Sequence, residues 1–322
     1  MASTGIRVAV TGAGGFLGRA LVPVLRDDPA VSSVLAVDLR PAPIEGVEWS
    51  RTDVRDPSLA QLISGVDVAV HLAFVVLGDL RKADSINVDG STNVFEAAAR
   101  AGCRRLVFAS SVAAYGHGLL GRLLTEDDPI QPIASFTYSR TKGAAERALD
   151  RVAAANPAME TVRIRPAIIL GRGMTHQLVR EATRRRTLAR PGRRSGAMQF
   201  VHLDDVVEAF RLATLGRATG AFNVGASDPI TYRDLADLAG ARLVTLPWSV
   251  AWMGAGIAAR VRPTLGLDAG WVRIAMRPPL VSSDRAEREL GWRATRSGRE
   301  TVSEFFETAR ADAAVLTGRR SR

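Results

Sequence analysis

"VAVTGAGGFLGRAL", residues 8–21, sets the reading of the whole chain. An apolar, β-branched run enters a glycine-rich turn that carries Gly12, Gly15 and Gly18, then continues as an apolar helical pattern. Glycine allows a tight turn and a close approach of backbone to a pyrophosphate. The helix behind it offers unpaired N–H groups and a partial positive charge to the same anion. Asp38 lies twenty residues past Gly18, at the end of the next β-branched run. In that strand–turn–helix setting an acidic side chain reaches an adenosine ribose. The carboxylate accepts from a free 2′-hydroxyl and repels a 2′-phosphate, so NAD is expected. Arg40 would hold that phosphate in the alternative, NADP.

Outward from the turn, short β-branched runs alternate with longer helical patterns. Residues 6–10, 33–38, 66–73, 105–111 and 161–167 read as strands, and 16–27, 58–65, 85–102 and 138–155 as helices. Near-continuous apolar strands separated by helices predict a parallel sheet covered on both faces, a Rossmann-type doubly wound α/β fold. Pro23 sits inside the first helical pattern and is expected to kink it. Beyond Pro166 the alternation weakens, with a strand edge entering a helix at 198–213 and another strand at 220–226. The expected division is a dinucleotide-binding domain over 1–167, to which 198–226 return, and a smaller interleaved C-terminal substrate-binding lobe from 168–197 and 227–322.

The 322 residues, 47% hydrophobic, suffice for one large core with a smaller lobe. A single cysteine, Cys103, excludes an internal disulfide framework and a thiolate metal cluster, and no metal site is expected. The opening MASTGIRVAV enters a strand pattern without the charged and apolar regions of a signal peptide, which points to the cytoplasm. The net charge of +10 admits anionic partners. Seven arginines between Arg180 and Arg194 form the densest basic run, read as a solvated face. No zinc-finger spacing or basic heptad accompanies it, so nucleic acid is not an expected partner. From Leu243 to Ala259 seventeen residues carry no charge. They are too few, and too broken by Pro247, Gly254 and Gly256, for a spanning helix. A buried or pocket-lining helix is preferred to membrane-surface contact through Trp248 and Trp252.

The chemistry gathers in "YSRTK", residues 138–142. Of the 43 basic residues only Lys82 and Lys142 are lysines, and Lys142 follows Tyr138 by one helical turn, on the same face. A phenol titrates at about 10 and is a poor base at neutral pH, but a neighbouring ammonium favours the phenolate and lowers that value. A pair so arranged takes a proton from an alcohol, or returns one to a ketone, while hydride moves to or from nicotinamide. Lysine suits the task better than arginine, being a compact charge on a flexible stem that also reaches ribose hydroxyls. "FASSVAAYG" (108–116) ends a strand pattern at the edge where ligands collect in open parallel sheets. It offers Ser110 and Ser111 to orient the substrate oxygen.

Taken in order, "TGAGGFLG", Asp38, "DVRD" (53–56), "HLA" (71–73), Asn87, "FASSVAAYG", "YSRTK", "RIRP" (163–166) and "VHLDDVVEAF" (201–210) resemble the extended short-chain dehydrogenase/reductase family, the NAD-dependent epimerase/dehydratase group. The resemblance implies backbone contacts from Phe16 and Leu17 to pyrophosphate, Asp53 and Val54 at adenine, and Leu72 and Ala73 beside the cofactor. It implies Asn87 and Ser110 in the pocket wall and Pro166 packed near nicotinamide. Ser111 becomes the catalytic hydroxyl, Tyr138 the acid/base and Lys142 its tuner, the last two also touching the cofactor. Asp204 and Asp205 are expected to stabilise the junction with the lobe. A small-molecule substrate is implied, and a homodimer pairing the helices near 85–101 and 138–155. His71 and His202 read as hydrogen-bonded packing residues.

Two departures narrow the reaction that the resemblance implies. Nucleotide-sugar members commonly carry an asparagine two positions past "RP", where Ile168 stands here. Sugar 4,6-dehydratases carry an Asp-Glu pair where Val112 and Ala113 stand. Water elimination then lacks its acid/base pair. The first expectation is an NAD(P)-dependent oxidoreductase acting on a secondary alcohol or ketone of a fairly apolar substrate, a sterol being one example. A nucleotide-sugar epimerase gripping diphosphate with the arginines is the second, and a non-catalytic dinucleotide sensor the third.

Overall fold

The β-branched runs assemble side by side, and their order decides where the glycine turn points. A computed structural model describes residues 5–40, 42–76, 82–119, 121–174, 187–261 and 270–318. Its strands are β1 (Ile6–Thr11), β2 (Val31–Val37), β3 (Glu48–Ser50), β4 (Val68–His71), β5 (Arg105–Ala109), β6 (Glu160–Pro166), β7 (Ile168–Leu170), β8 (Thr187–Pro191), β9 (Phe200–His202), β10 (Gly220–Val224) and β11 (Arg242–Leu246). Seven of them form one sheet in the order β10-β6-β5-β4-β1-β2-β3. Every pairing within it is parallel. The order turns back at β1 and β4, which opens a crevice at the carboxyl ends of those strands. This is the Rossmann-type α/β fold expected from the sequence.

The helices are α1 (Phe16–Asp27), α2 (Leu59–Leu62), α3 (Gly90–Arg100), α4 (Thr137–Ala155), α5 (Leu203–Leu215), α6 (Tyr232–Ala239), α7 (Trp248–Val261), α8 (Gly270–Met276) and α9 (Gly298–Gly318). Successive strand residues face opposite ways, so β1 sends Val8 and Val10 to one layer and Ala9 to the other. The first layer packs Leu21, Val22 and Leu25 of α1 and Phe210 of α5 on the sheet. The second packs Val94 and Phe95 of α3 and Leu149 of α4 on Leu106 and Phe108. Fully burying a side chain such as Phe95 contributes about 1.5–3 kcal/mol. α1 continues through Pro23 to Asp27. A capping box between Thr231 and Asp234 starts α6, and left-handed Gly240 ends it.

After Pro166 two short parallel pairs, β7 with β9 and β8 with β11, leave the main sheet. Ile168 of β7 exposes 43% of its surface. Of the basic run, residues 180–186 lie outside the described residues. Arg190, within β8, donates to Thr245 Oγ1 at 2.9 Å. The uncharged stretch is divided, its first residues to Leu246 lying in β11 and the rest in α7, and that helix is not buried: Trp248, Val250, Trp252, Met253, Ile257 and Val261 are all exposed. Hydropathy identifies the helix but not which face it covers, and here the small Ala251, Ala255, Gly256 and Ala258 are half-covered. Among the described residues no helix is long and apolar enough to cross a membrane.

Candidate active site

The turn between β1 and α1 lies at the carboxyl edge of the sheet. Gly12 has φ +77°, and a Cβ on it would sit 2.7 Å from Ala73 Cα. Only glycine lets this turn press on the loop that follows β4. A Cβ on Gly18 would come 2.6 Å from Ala13 Cα, so helix and turn are equally close there. Gly15 differs: an added Cβ meets only Gly12 O, at 3.1 Å. That leaves space beside the N-terminus of α1, where Phe16 and Leu17 open the helix and their N–H groups have no intrahelical acceptor. A pyrophosphate fits this cradle by charge and by shape.

Asp38 is fixed against the same turn. Its Oδ2 accepts from Gly14 N at 3.0 Å and its Oδ1 from Arg40 N at 2.9 Å. Asp53 takes two charge-assisted bonds from Arg55, at 2.6 and 2.9 Å, which hold its pKa below the usual carboxylate value. Val54 is buried, and its carbonyl accepts from Asn93 Nδ2. Leu72 N donates to Thr11 O at 2.9 Å, and Ala73 lies against Gly12. Asn87, fully buried, accepts from Val75 N and donates to Val75 O and, at 3.3 Å, to Thr141 Oγ1. Its side chain therefore pins the loop after β4 to α4. His71 is buried beneath it. The Ser91 hydroxyl donates to Asn87 O, so the His71 Nε2–H donates to Ser91 Oγ and Nδ1 accepts from Thr11 Oγ1. Burial drives the His71 pKa down to about 3, with the Lys142 charge adding to the effect.

Ser111 follows β5 and caps a 3-10 turn at Val112–Tyr115, its Oγ accepting from Ala113 N at 3.1 Å. Tyr138, in the first turn of α4, shares a hydrogen bond with the Ser111 side chain. Ser139 draws the two segments together: its Oγ donates to Ala113 O and accepts from Ile133 N. Rings close around the phenol, with Phe74 edge-on at 5.9 Å, Phe136 tilted at 6.1 Å and Trp271 of α8 stacked at 6.1 Å. Pro166 is buried where β6 ends.

The lysine departs from expectation. Lys142 is buried, and its Nζ donates to Ala109 O and lies 3.4 Å from the centre of the Phe74 ring, against 5.9 Å for the Tyr138 ring. Burial lowers the Lys142 pKa well below its ordinary value, opposed by Glu146. Burial also raises the Tyr138 pKa, opposed by the Ser111 hydrogen bond. Burial and the Ser111 hydrogen bond set the direction of the Tyr138 shift, with no part played by the Lys142 charge, so the phenol is held protonated instead of being driven toward phenolate.

Ser110 belongs to a buried chain of polar groups. Its hydroxyl donates to Glu146, which is fully buried and grips Arg165 through both oxygens, at 2.9 and 2.7 Å. Arg165 Nη1 donates to Tyr115 Oη at 2.7 Å, and that hydroxyl donates to Asn223 Oδ1. Burial alone would lower the Arg165 pKa, but the Glu146 and Tyr115 contacts overcome it and raise it. This chain of polar groups ties β5, α4, β6 and β10 together under the site. Asp205 performs a comparable service farther off, accepting from Thr295 N and Arg296 N, while Asp204 meets Arg296. His202 caps α5, accepting from Asp204 N.

Sequence reasoning misses Glu146, Arg165, Ser139 and Trp271. Glu146 has a signal, since Tyr138, Lys142 and Glu146 repeat every four residues along one helical face. Trp271 has none, because it belongs to a distant segment of the chain and only the packing of α8 brings its ring to Tyr138.

The model of the NAD dependent epimerase/dehydratase family matches residues 8–225. A 2-alkyl-3-oxoalkanoate reductase of Stenotrophomonas maltophilia is 31% identical over 247 residues, 71% of this chain and 73% of that protein. A 3 beta-hydroxysteroid dehydrogenase/Delta 5-->4-isomerase of Mycobacterium tuberculosis is 30% identical over 255 residues, 71% of this chain and 67% of that protein. Among solved structures, MoeE5 in complex with UDP-glucuronic acid and NAD superposes with a TM-score of 0.75 at 25% identity, covering 95% of this chain and 99% of that one. The matched span runs from the glycine turn through Tyr138 to the end of β10, and on that ground the chain belongs to the NAD dependent epimerase/dehydratase family.

Proposed function

We propose that the protein is an NAD-dependent oxidoreductase, with NADP the alternative cofactor, that interconverts a secondary alcohol and a ketone on an apolar small molecule. The observation that carries this reading is the Tyr138 phenol, bonded to Ser111 and enclosed by Phe74, Phe136 and Trp271. Three apolar rings around one acid/base group suit a hydrophobic carbonyl better than a sugar. The two relatives named for a 3-oxoalkanoate and a 3β-hydroxysteroid support the same substrate class.

NAD held by Gly12, Gly15, Phe16, Leu17 and Gly18, with Asp38 at its ribose, would supply the hydride acceptor or, reduced, the donor. Asp53 and Val54 would border the adenine, and Leu72, Ala73 and Pro166 the rest of the cofactor. Ser111 orients the substrate oxygen, and Tyr138 exchanges a proton with it. The protonated phenol gives its proton to the oxygen of a ketone in reduction, and the phenol oxygen takes the proton back in oxidation of the alcohol. Lys142, whose Nζ donates to Ala109 O, ties α4 to the end of β5 beside Ser111 and Tyr138. Asn87 and Ser110 act through what they hold, the loop at Val75 and the Glu146 carboxylate.

The test is NADH oxidation with long-chain 3-oxo acids and 3-ketosteroids, set beside UDP-sugars. Turnover of the apolar ketones, lost in Tyr138→Phe, is the expected result. Conversion of UDP-sugars alone, with no net change in NADH, would replace this reading with the nucleotide-sugar one that the MoeE5 likeness favours. A homodimer through α3 and α4 belongs to the same proposal, and light scattering checks it.

A further inference from the structure

α7 is built inside out. Among its described side chains the half-covered positions are the small Ala251, Ala255, Gly256 and Ala258, while Trp248, Val250, Trp252, Met253, Ile257 and Val261 face solvent, the last three exposing 56%, 57% and 72% in the order Met253, Ile257, Val261. A helix on a soluble surface ordinarily turns its large apolar side chains inward. Contiguous exposed apolar surface of this kind marks an interaction site. Trp248 and Trp252, one turn apart, stack at 6.1 Å and 16° on this outer surface. Indoles have an apolar body and a polar edge and favour the boundary between hydrocarbon and water.

The charge around the helix selects the partner. Gly192 N donates to Leu246 O, which sets Arg193 and Arg194, both exposed, beside the entry into α7 at Trp248. β8, β11, α7 and α8 contain no aspartate or glutamate. The sequence is also free of acidic residues from 182 to 203 and from 238 to 267. A second copy of this chain would bring arginine against arginine, whereas an anionic surface is attracted. We propose that α7 docks the protein on an anionic phospholipid bilayer, with its apolar side chains in the headgroup boundary and Arg193 and Arg194 on lipid phosphates. α8 packs on α7 and carries Trp271 to Tyr138, so the docking face and the phenol are two helices apart. The docking does not depend on which substrate the site takes.

The experiment uses the full chain with two kinds of vesicle, phosphatidylcholine alone and phosphatidylcholine with phosphatidylglycerol. Co-sedimentation measures binding, and quenching of tryptophan emission by brominated acyl chains reports insertion. Expected are binding about tenfold or more tighter to the anionic vesicles, weakening with salt, and quenching by the brominated lipid. Trp248→Ser/Trp252→Ser should abolish the quenching. Arg193→Gln/Arg194→Gln should remove most of the preference for anionic lipid while circular dichroism stays unchanged. All four side chains are exposed or lie on the surface helix, so the fold is kept. Three results would overturn the proposal: no binding to the anionic vesicles, binding without quenching that the double tryptophan variant leaves intact, or self-association in solution that the same variant abolishes.

Discussion

The indole of Trp271 lies nearly parallel to the phenol of Tyr138, with ring centroids 6.1 Å apart and planes inclined by 12°. Trp271 also meets Phe136 edge-on at 4.7 Å, and Arg273, two residues on, donates to Ser135 Oγ at 3.2 Å. α8 therefore meets the start of α4 through these rings and an exposed polar contact. An aromatic pair of this kind contributes about 0.5–1.5 kcal/mol beyond its buried area. Trp271→Ala should raise KM for apolar ketones by about tenfold, and Trp271→Phe by much less. Steady-state kinetics on both variants check this, and an unchanged KM in Trp271→Ala would remove the indole from the substrate wall.

Tyr138→Phe keeps the ring cluster and removes the proton. kcat should fall by roughly 10²–10⁴-fold, the usual worth of a positioned general acid or base. NAD affinity, read by isothermal calorimetry, should change little. Equal losses in both would mean that the hydroxyl holds the cofactor more than it serves the reaction.

Gly12 and Gly15 should separate stability from cofactor binding. Gly12→Ala forces a left-handed Ala, costing about 1–2 kcal/mol, and adds a collision with Ala73. Urea unfolding should show this loss. At Gly15, φ is −77° and a methyl meets only Gly12 O. Gly15→Ala should fold normally yet bind NAD about tenfold more weakly, the methyl filling the space beside the helix N-terminus.

His71 makes stability depend on acid. The unfolded chain binds a proton near 6.5, whereas the folded chain does not until about 3. Between those values the unfolded state holds more protons, so stability is present above pH 6.5 and is lost as pH falls through the window. The loss from this group by about pH 4 is on the order of 3 kcal/mol. His71→Asn should flatten the slope of urea midpoint against pH over that range, and an unaltered slope would assign the acid sensitivity to carboxylates.

Glu146→Gln leaves Arg165 buried without its carboxylate. Breaking such a pair costs about 3–5 kcal/mol. Replacing both, Glu146→Gln with Arg165→Met, should recover part of the loss because no charge is stranded. A double variant no more stable than Glu146→Gln would show that Tyr115 and Ser110 depend on Arg165 as much as on Glu146.

The main sheet is legible because its strands are β-branched runs and its ends are marked by glycine or serine. β1, α1, β5 and α4 fall within a residue or two of where their patterns place them. β3, β7 and β8 escape notice because three to five residues carry too little periodicity. The glycine turn, Asp38 and the Tyr138–Lys142 spacing are readable from local pattern. The electrostatic outcome is not: the spacing predicts an ammonium beside a phenol, while the depth of burial and the reach of Nζ to Ala109 O belong to the packed structure. The aromatic enclosure is equally hidden, since Phe74, Phe136 and Trp271 come from three separate segments.

Gly12 against Ala73, Asn87 on Val75 and Thr141, and the buried Glu146–Arg165 pair join the glycine turn, the loop after β4, α4 and β6 into one connected floor. The ceiling over Tyr138 is the indole of Trp271, brought there by α8 from a segment far along the chain. Divergence within such a scaffold can therefore rewrite that ceiling while the floor below it is inherited unaltered.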